Sequence, residues 1–149
     1  MTAKEYLSQV QILRDKISRR SQRITELYNQ ASGLKAISYD KISVQTSPTD
    51  PLPDNIAKIL ETAHDLEKDI TVFISKINEI TNQIEGLVED EKTKKYANIL
   101  YDRYINNLNL ADIAFKYGYH PDNIRHEHGH ALTAFAEKYK LDMYKLDTE

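Results

Sequence analysis

The chain has 149 residues, of which 29% are charged and 40% hydrophobic. This composition is typical of a soluble, folded protein, either one domain or a small domain on a long helical stalk. It contains no cysteine, which excludes disulfides and thiol catalysis and favours a reducing compartment. No apolar run is long enough to span a membrane, and the first residues lack the apolar core of a signal peptide. We therefore expect a cytoplasmic protein.

The net charge is −3, and it is unevenly distributed. Residues 1–35 hold seven Lys/Arg and three Asp/Glu, whereas residues 54–95 hold six and ten. Residues 96–149 hold six and eight, so this end is slightly acidic. The balance argues weakly against a dedicated nucleic-acid binder. The opposite charges of the first two segments favour their pairing.

Two long segments repeat apolar residues at alternating spacings of four and three, which predicts helices that pack along a seam. The seam of residues 3–34 is interrupted by Arg20, and that of residues 54–88 is unbroken. We expect an antiparallel helical hairpin in which Ile70, Phe73 and Ile77 are buried between long helices. The same helices offer a surface for a homodimer. The pattern leaves open whether the seams pair within one chain or between two.

The predicted organisation is a coiled-coil-like hairpin region, residues 1–91, followed by a three-helix domain with a helix-turn-helix, residues 92–149. A linker is expected at residues 32–53, with Gly33 as a helix stop and three prolines as helix breakers. Asp54 is suited to cap the second long helix. The acidic cluster at residues 89–92 indicates a helix boundary or a bend.

Residues 103–132 have the pattern of a helix-turn-helix, with two short helices around a tight turn. The first helix has a cap at Asn109 and a left-handed stop at Gly118. His120 and Pro121 start the second helix. Apolar positions of both helices are expected to face the core: Leu110, Ile113, Ala114, Ile124, Ala131, Leu132 and Phe135.

The start of the second helix leaves polar side chains facing outward, where a recognition helix meets base edges in a major groove. Arg125 is the preferred base reader, because arginine is the commonest reader of guanine. His130 and Lys138 are expected near phosphates. The predicted DNA-binding residues are Asp122, Asn123, Arg125, His126, His130 and Lys138.

This segment resembles region 4 of sigma factors. It is more similar still to the region-4-like domains of small phage and prophage regulators of Gram-positive bacteria, the ArpU/RinA-like group. Its opening residues and two long helices resemble that group too. The residues that carry the resemblance are Arg103-Tyr104-Ile105, Asp112-Ile113-Ala114, Gly118-Tyr119, Ile124-Arg125, His128-Gly129 and Ala131-Leu132. The resemblance implies an all-α fold, a transcription-regulating role, double-stranded DNA and host RNA polymerase as partners, and a bacterial cytoplasm.

The histidines allow other interpretations. The run from His126 to His130 matches H-E-x-x-H, the pattern of a zinc site with Glu127 as general base. We prefer the interpretation without metal, in which His128 packs beside the turn while His126 and His130 are exposed. If four histidines, including His120, titrate near their usual pKa of about 6.5, this surface gains positive charge on mild acidification.

Arg103 also has two interpretations, a phosphate contact or a tie between two helices of the domain, for instance through Asp112. We favour the tie. No nucleophile triad, phosphate loop or paired-carboxylate site is present in the sequence, so we expect neither an enzyme nor a cofactor. The leading interpretation is a phage or prophage DNA-binding transcription regulator that acts as a dimer or with RNA polymerase. The alternative is an interaction module whose helix-turn-helix binds a protein instead of DNA.

Overall fold

The computed structural model describes residues 1–42 and 54–141, and it describes side chains at residues 1–34 and 54–141. These residues form helices and short connections and include no β-strand, which confirms the predicted all-α class. None of the described helices combines the length and apolar character that a membrane span needs. The α-helices are α1 (Ala3–Ile42), α2 (Asp54–Glu85), α3 (Glu91–Leu100), α4 (Leu110–Tyr117) and α5 (Pro121–Tyr139), and a π-helical turn, Tyr101–Ile105, follows α3.

Helix α1 does not stop at Gly33, as the sequence predicted, but continues to Ile42. A glycine inside a helix costs only about 1 kcal/mol relative to alanine. The good helix formers Leu34, Lys35 and Ala36 follow it directly, and such residues offset a cost of that size. The remainder of the predicted linker, including its three prolines, lies outside the described residues.

The boundary predicted at residues 89–92 is confirmed. Helix α2 ends at Glu85, and Asp90 caps α3 by accepting a hydrogen bond from the Thr93 amide at 2.8 Å. The Thr93 hydroxyl in turn accepts from the Asp90 amide at 2.9 Å, which completes a reciprocal capping box. Two of the donors that a helix start leaves unpaired are thereby satisfied.

The chain divides into two compact units. We call residues 1–14 with 75–141 the composite unit, and residues 15–42 with 54–74 the paired-helix unit. This division differs from the predicted boundary between residues 91 and 92. The first turns of α1 and the last turns of α2 supply apolar side chains that pack with the short helices, because three short helices alone enclose little core.

The core of the composite unit contains side chains from four helices and the π-helical turn. Leu7 of α1, Ile84 of α2, Leu100 of α3 and Phe135 of α5 are completely buried in one cluster. At its edge the Tyr139 hydroxyl donates to the Gln83 carbonyl oxygen at 2.6 Å. Gly86 leaves room for this contact, since a Cβ there would lie 2.6 Å from the Tyr139 hydroxyl oxygen.

In the paired-helix unit, contacts join later positions of α1 to earlier positions of α2. Arg20 pairs with Asp69 at 3.3 Å, and the Tyr28 hydroxyl donates to Glu67 at 2.7 Å. The seam is fully buried at only some of its positions within this unit. These positions are Leu27, Ala31, Ile56 and Ala63.

The prediction that Ile70, Phe73 and Ile77 are buried was wrong, because all three are half-buried. In the paired-helix unit two helices cover Leu27 and Ile56 almost completely but leave part of Ile70 and Phe73 exposed, and Ile77 packs against the core of the composite unit. The Arg20 guanidinium lies over the Phe73 ring, 4.7 Å from its centroid. Arg20 is the one charged residue of the seam, and its side chain packs against the seam and does not turn out into solvent.

Candidate nucleic-acid interface

The connection between α4 and α5 has the predicted backbone signals. Asn109 caps α4 by accepting a hydrogen bond from the Asp112 amide at 2.8 Å. Gly118 ends the helix in the left-handed region, at φ 72°, where a side chain would be strained. His120 Nδ1 accepts from the Asp122 amide at 3.2 Å, and Pro121 is the first residue of α5. Both helix boundaries are therefore confirmed.

A small apolar cluster holds α4 and α5 together against α3. Ile99, Ile113 and Ile124 are almost completely buried, one from each helix, and Ala114 lies among them. The predicted core positions Ala131 and Phe135 are also buried, whereas Leu110 and Leu132 are half-buried at the margins. The first turns of α5 are thus fixed from one side, and their opposite side is free to meet a ligand.

The predicted DNA-binding residues are all exposed, and they lie at three places along α5. The first two turns of the helix carry four of them, which together form what we call the α5 tip: Asp122, Asn123, Arg125 and His126. His130 lies one turn beyond His126. Lys138 lies in the last turn, where it donates to the Gly86 carbonyl oxygen and is 3.4 Å from a Glu89 carboxylate oxygen. Lys138 therefore already holds α5 against the end of α2.

A buried carboxylate that the sequence analysis missed fixes the last turn of α4. Asp102 is only 2% exposed and accepts three side-chain hydrogen bonds. The Tyr117 hydroxyl donates at 2.5 Å, the Asn106 amide at 2.8 Å and the Lys116 ammonium at 3.0 Å. Burial by itself raises the pKa of Asp102, but the hydrogen bonds from Tyr117, Asn106 and Lys116 outweigh it and lower the pKa.

Asp102 lies in the π-helical turn, where the backbone N–H of Asn106 donates to the Tyr101 carbonyl oxygen at 3.0 Å. Sequence spacing did not signal this turn, because i→i+5 hydrogen bonding is rare and has no simple pattern. The signal that the sequence did offer for this site was Asp102 itself, an acidic residue among apolar positions and four residues before Asn106. Asp102 links this turn to α4.

Arg103 does not make the tie to Asp112 that we favoured from the sequence. Its guanidinium donates to the Leu108 carbonyl oxygen at 3.5 Å and lies 5.5 Å from the centroid of the Tyr104 ring. Instead, the carboxylate of the preceding residue, Asp102, joins the π-helical turn to α4. The tie that we expected from Arg103 is therefore made by Asp102.

His128 is half-buried, and its Nε2 is 2.9 Å from the Tyr104 hydroxyl, whereas His126 and His130 are exposed, as we expected. Burial lowers the pKa of His128 to about 4, and the positive charges of Arg103 and Lys4 add to the effect. The expectation that all four histidines gain charge on mild acidification was therefore wrong for His128, which stays neutral at pH 5.5.

Glu127 is fixed by an ion pair with Lys95 of α3 at 3.5 Å. The Lys95 ammonium also lies 4.6 Å from the centroid of the Tyr119 ring, in the turn between α4 and α5. Glu127 therefore has a structural role, in which its carboxylate pairs with Lys95. Within the residues that the structure describes, no three His, Asp or Glu side chains are placed to hold a metal ion.

No protein-family model matches this chain, and neither a curated protein nor a solved structure matches it. The resemblance to phage regulators therefore stays a prediction.

Proposed function

We propose that the chain is a DNA-binding transcription regulator of the phage or prophage type, with α4, the turn and α5 as its helix-turn-helix. The observation that carries the proposal is the α5 tip. Its four polar side chains are exposed and can donate to and accept from base edges. Ile113 and Ile124 hold the start of α5 from the opposite, buried side. The left-handed Gly118 and the short turn are typical of this motif.

The charges of the composite unit define how it would bind. Residues 1–14 and 75–141 carry eleven Lys/Arg and eleven Asp/Glu. A unit without net charge neutralises few phosphates, so its DNA affinity depends less steeply on salt than that of a basic domain. Contacts to bases then carry a large share of the specificity. Because one recognition helix reads only a few base pairs, binding needs a second copy or a polymerase partner.

The proposal is tested by selecting binding sites from a random DNA library with the purified protein at stated salt. Arg125→Ala should lose about 1–3 kcal/mol of discrimination at one base position and keep its helix content. The matched control is Arg19→Ala, which removes the same charge from the paired-helix unit and should leave base preference unchanged. A library without enriched sites, or identical site preferences of wild type and Arg125→Ala, contradicts the proposal.

One observation favours the second function, binding of a protein such as RNA polymerase by the same fold. Phe115 on α4 is 91% exposed, and large exposed apolar side chains at a rigid position are typical anchors of protein interfaces. Pull-down from a bacterial lysate with wild type and Phe115→Ala separates the two functions. A protein partner that is lost with Phe115→Ala but kept with Arg125→Ala supports protein binding, whereas captured DNA that is lost with Arg125→Ala but kept with Phe115→Ala supports DNA reading.

A further inference from the structure

The chain has five histidines, all within the described residues, and three of them have polar partners. His64 Nδ1 lies 3.7 Å from a Glu67 carboxylate oxygen. His128 Nε2 is 2.9 Å from the Tyr104 hydroxyl, and His120 Nδ1 caps the start of α5. Each of these three rings therefore already has a contact that a new ligand would have to replace or share.

The other two histidines, His126 and His130, are exposed on α5. Within the part of the chain that the structure describes, neither ring takes part in a hydrogen bond, an ion pair or a ring contact. A Cβ placed on Gly129, between them in the sequence, would meet no described atom within 4 Å. The surface beside both rings is therefore open, and their nitrogens are available to a ligand from solution.

The spacing of the two free histidines brings them together on one face of the helix. Residues four apart are neighbours one turn apart, with about 5–6 Å between their Cβ atoms. The same spacing lets a helix present two zinc ligands in the H-E-x-x-H pattern. Two Zn–N bonds of about 2.0–2.1 Å in a tetrahedral site place the nitrogens about 3.3 Å apart. Imidazoles on adjacent turns can reach that separation by rotating about their side-chain bonds.

The helix that carries this pair is held in place by the core. Ile124, Ala131 and Phe135 are buried along the other side of α5, so the backbone between His126 and His130 is fixed before a ligand binds. A preformed site loses less conformational freedom on binding than a flexible one. Binding therefore needs to order only the torsions of two side chains.

We propose that His126 and His130 together bind one divalent transition-metal ion, in an open two-histidine site on the surface of α5. Imidazole nitrogen suits Zn²⁺, Ni²⁺ and Cu²⁺, whereas Mg²⁺ takes oxygen ligands. Water completes the coordination of the ion, so this site differs from a zinc centre with three protein ligands. Glu127, the general base in the H-E-x-x-H pattern, pairs with Lys95 at 3.5 Å. We therefore expect metal binding without hydrolytic activity.

The charges around the pair suit a cation. Asp122 lies one turn before His126, and its side chain is 78% exposed, so its carboxylate attracts a positive ion to this face. The charge of Glu127 is balanced by Lys95. Arg125 lies about 100° around the helix from His126 and hence on a different face.

Metal binding by this pair does not depend on DNA binding by α5. The test is calorimetric titration of the purified full chain with Zn²⁺, without a histidine tag, since a tag would itself bind the ion. We expect one Zn²⁺ site per chain and no binding of Mg²⁺. His126→Ala and His130→Ala should each weaken Zn²⁺ binding at least ~10-fold, since even residues that only orient a metal ligand change the affinity about 10–100-fold.

The matched control is His64→Ala, which removes an exposed histidine that has no second histidine one turn away. This variant should bind Zn²⁺ like the wild type. Asp122→His in the His130→Ala background places a second imidazole one turn before His126 and should recover most of the lost affinity. Circular dichroism checks that each variant keeps its helix content.

A chain that binds no Zn²⁺, or binds Mg²⁺ equally well, overturns the proposal. So does a site that survives His126→Ala. A site that survives His130→Ala also overturns it, because Asp122 and His126 would then be the ligands. Equal weakening by His64→Ala, or no recovery with Asp122→His, contradicts the argument from spacing and overturns it as well. Loss of the site in both α5 variants, with recovery in the double variant, supports it.

Discussion

The composite unit and the paired-helix unit have similar apolar patterns but bury them to different extents. In the composite unit Leu7, Ile84 and Phe135 are completely buried, because side chains from several helices surround them. In the paired-helix unit Leu27 and Ile56 are buried, but Ile70 and Phe73 are half-buried. A heptad pattern thus predicts which residues face another helix, and it does not predict how far each of them is buried.

The largest expected effect is at the centre of the composite unit. Phe135→Ala should lower the free energy of unfolding by about 3–5 kcal/mol, since it opens a cavity in a closed core. Urea unfolding followed by circular dichroism measures it. The control is Phe115→Ala, which removes the same atoms from a side chain that is 91% exposed and should cost less than about 0.5 kcal/mol. Similar costs for the two variants would contradict the burial of Phe135.

The polar network of the composite unit gives the next effect. Asp102→Ala removes the acceptor of Tyr117, Asn106 and Lys116, and should cost about 1.5–3 kcal/mol, as hydrogen bonds to charged groups do. Because the pKa of Asp102 is lowered in the folded state, its contribution is present above the unfolded pKa and is lost as the pH falls through the folded pKa. Unfolding measured at neutral pH should show the full cost, and equal stabilities there would refute the network.

The sequence predicted much of the fold because the relevant signals are local. The cap at Asn109, the left-handed Gly118 and the start at Pro121 each follow from the chemistry of one or two residues. The exposure of the α5 tip followed from the helical period. The sequence could not show that the first turns of α1 join the core around Phe135, since this packing depends on contacts between residues far apart in the chain.

Other errors arose from a weak signal or from competition between effects. Gly33 was predicted to stop α1, but one glycine costs only about 1 kcal/mol of helix stability, and the helix formers that follow it offset that cost. Asp102 was overlooked because a single acidic residue does not reveal three partners, one of them fifteen residues away at Tyr117. His128 was expected to pack beside the turn, as it does, yet it was counted among the histidines that titrate near the usual pKa, because the extent of its burial cannot be read from the residue sequence.

His128 makes the stability of the composite unit depend on pH. Its pKa falls from the usual value of 6.5 to about 4 on folding, so between these pH values the unfolded state binds more protons and stability rises with pH. The difference between pH 8 and pH 5 should be about 2 kcal/mol from this group.

Urea unfolding of His128→Gln at both pH values tests this linkage, because the variant should lack that part of the pH dependence. His130→Gln, two residues away and exposed, should keep it. Identical pH profiles of wild type and His128→Gln would show that His128 titrates normally.

The smallest expected effect, that of Phe73→Ala on stability, compares burial in the two units most directly. Phe73→Ala makes the same change as Phe135→Ala at a half-buried seam position, and should cost about 1–2 kcal/mol, because less apolar surface returns to water and no closed cavity forms. Part of that cost is the loss of the contact with the Arg20 guanidinium, 4.7 Å from the ring centroid.

The loss of stability on alanine substitution should therefore decrease in the order Phe135, Phe73, Phe115, measured by urea unfolding at one protein concentration. A cost at Phe73 equal to that at Phe135 would contradict the half-burial of Phe73.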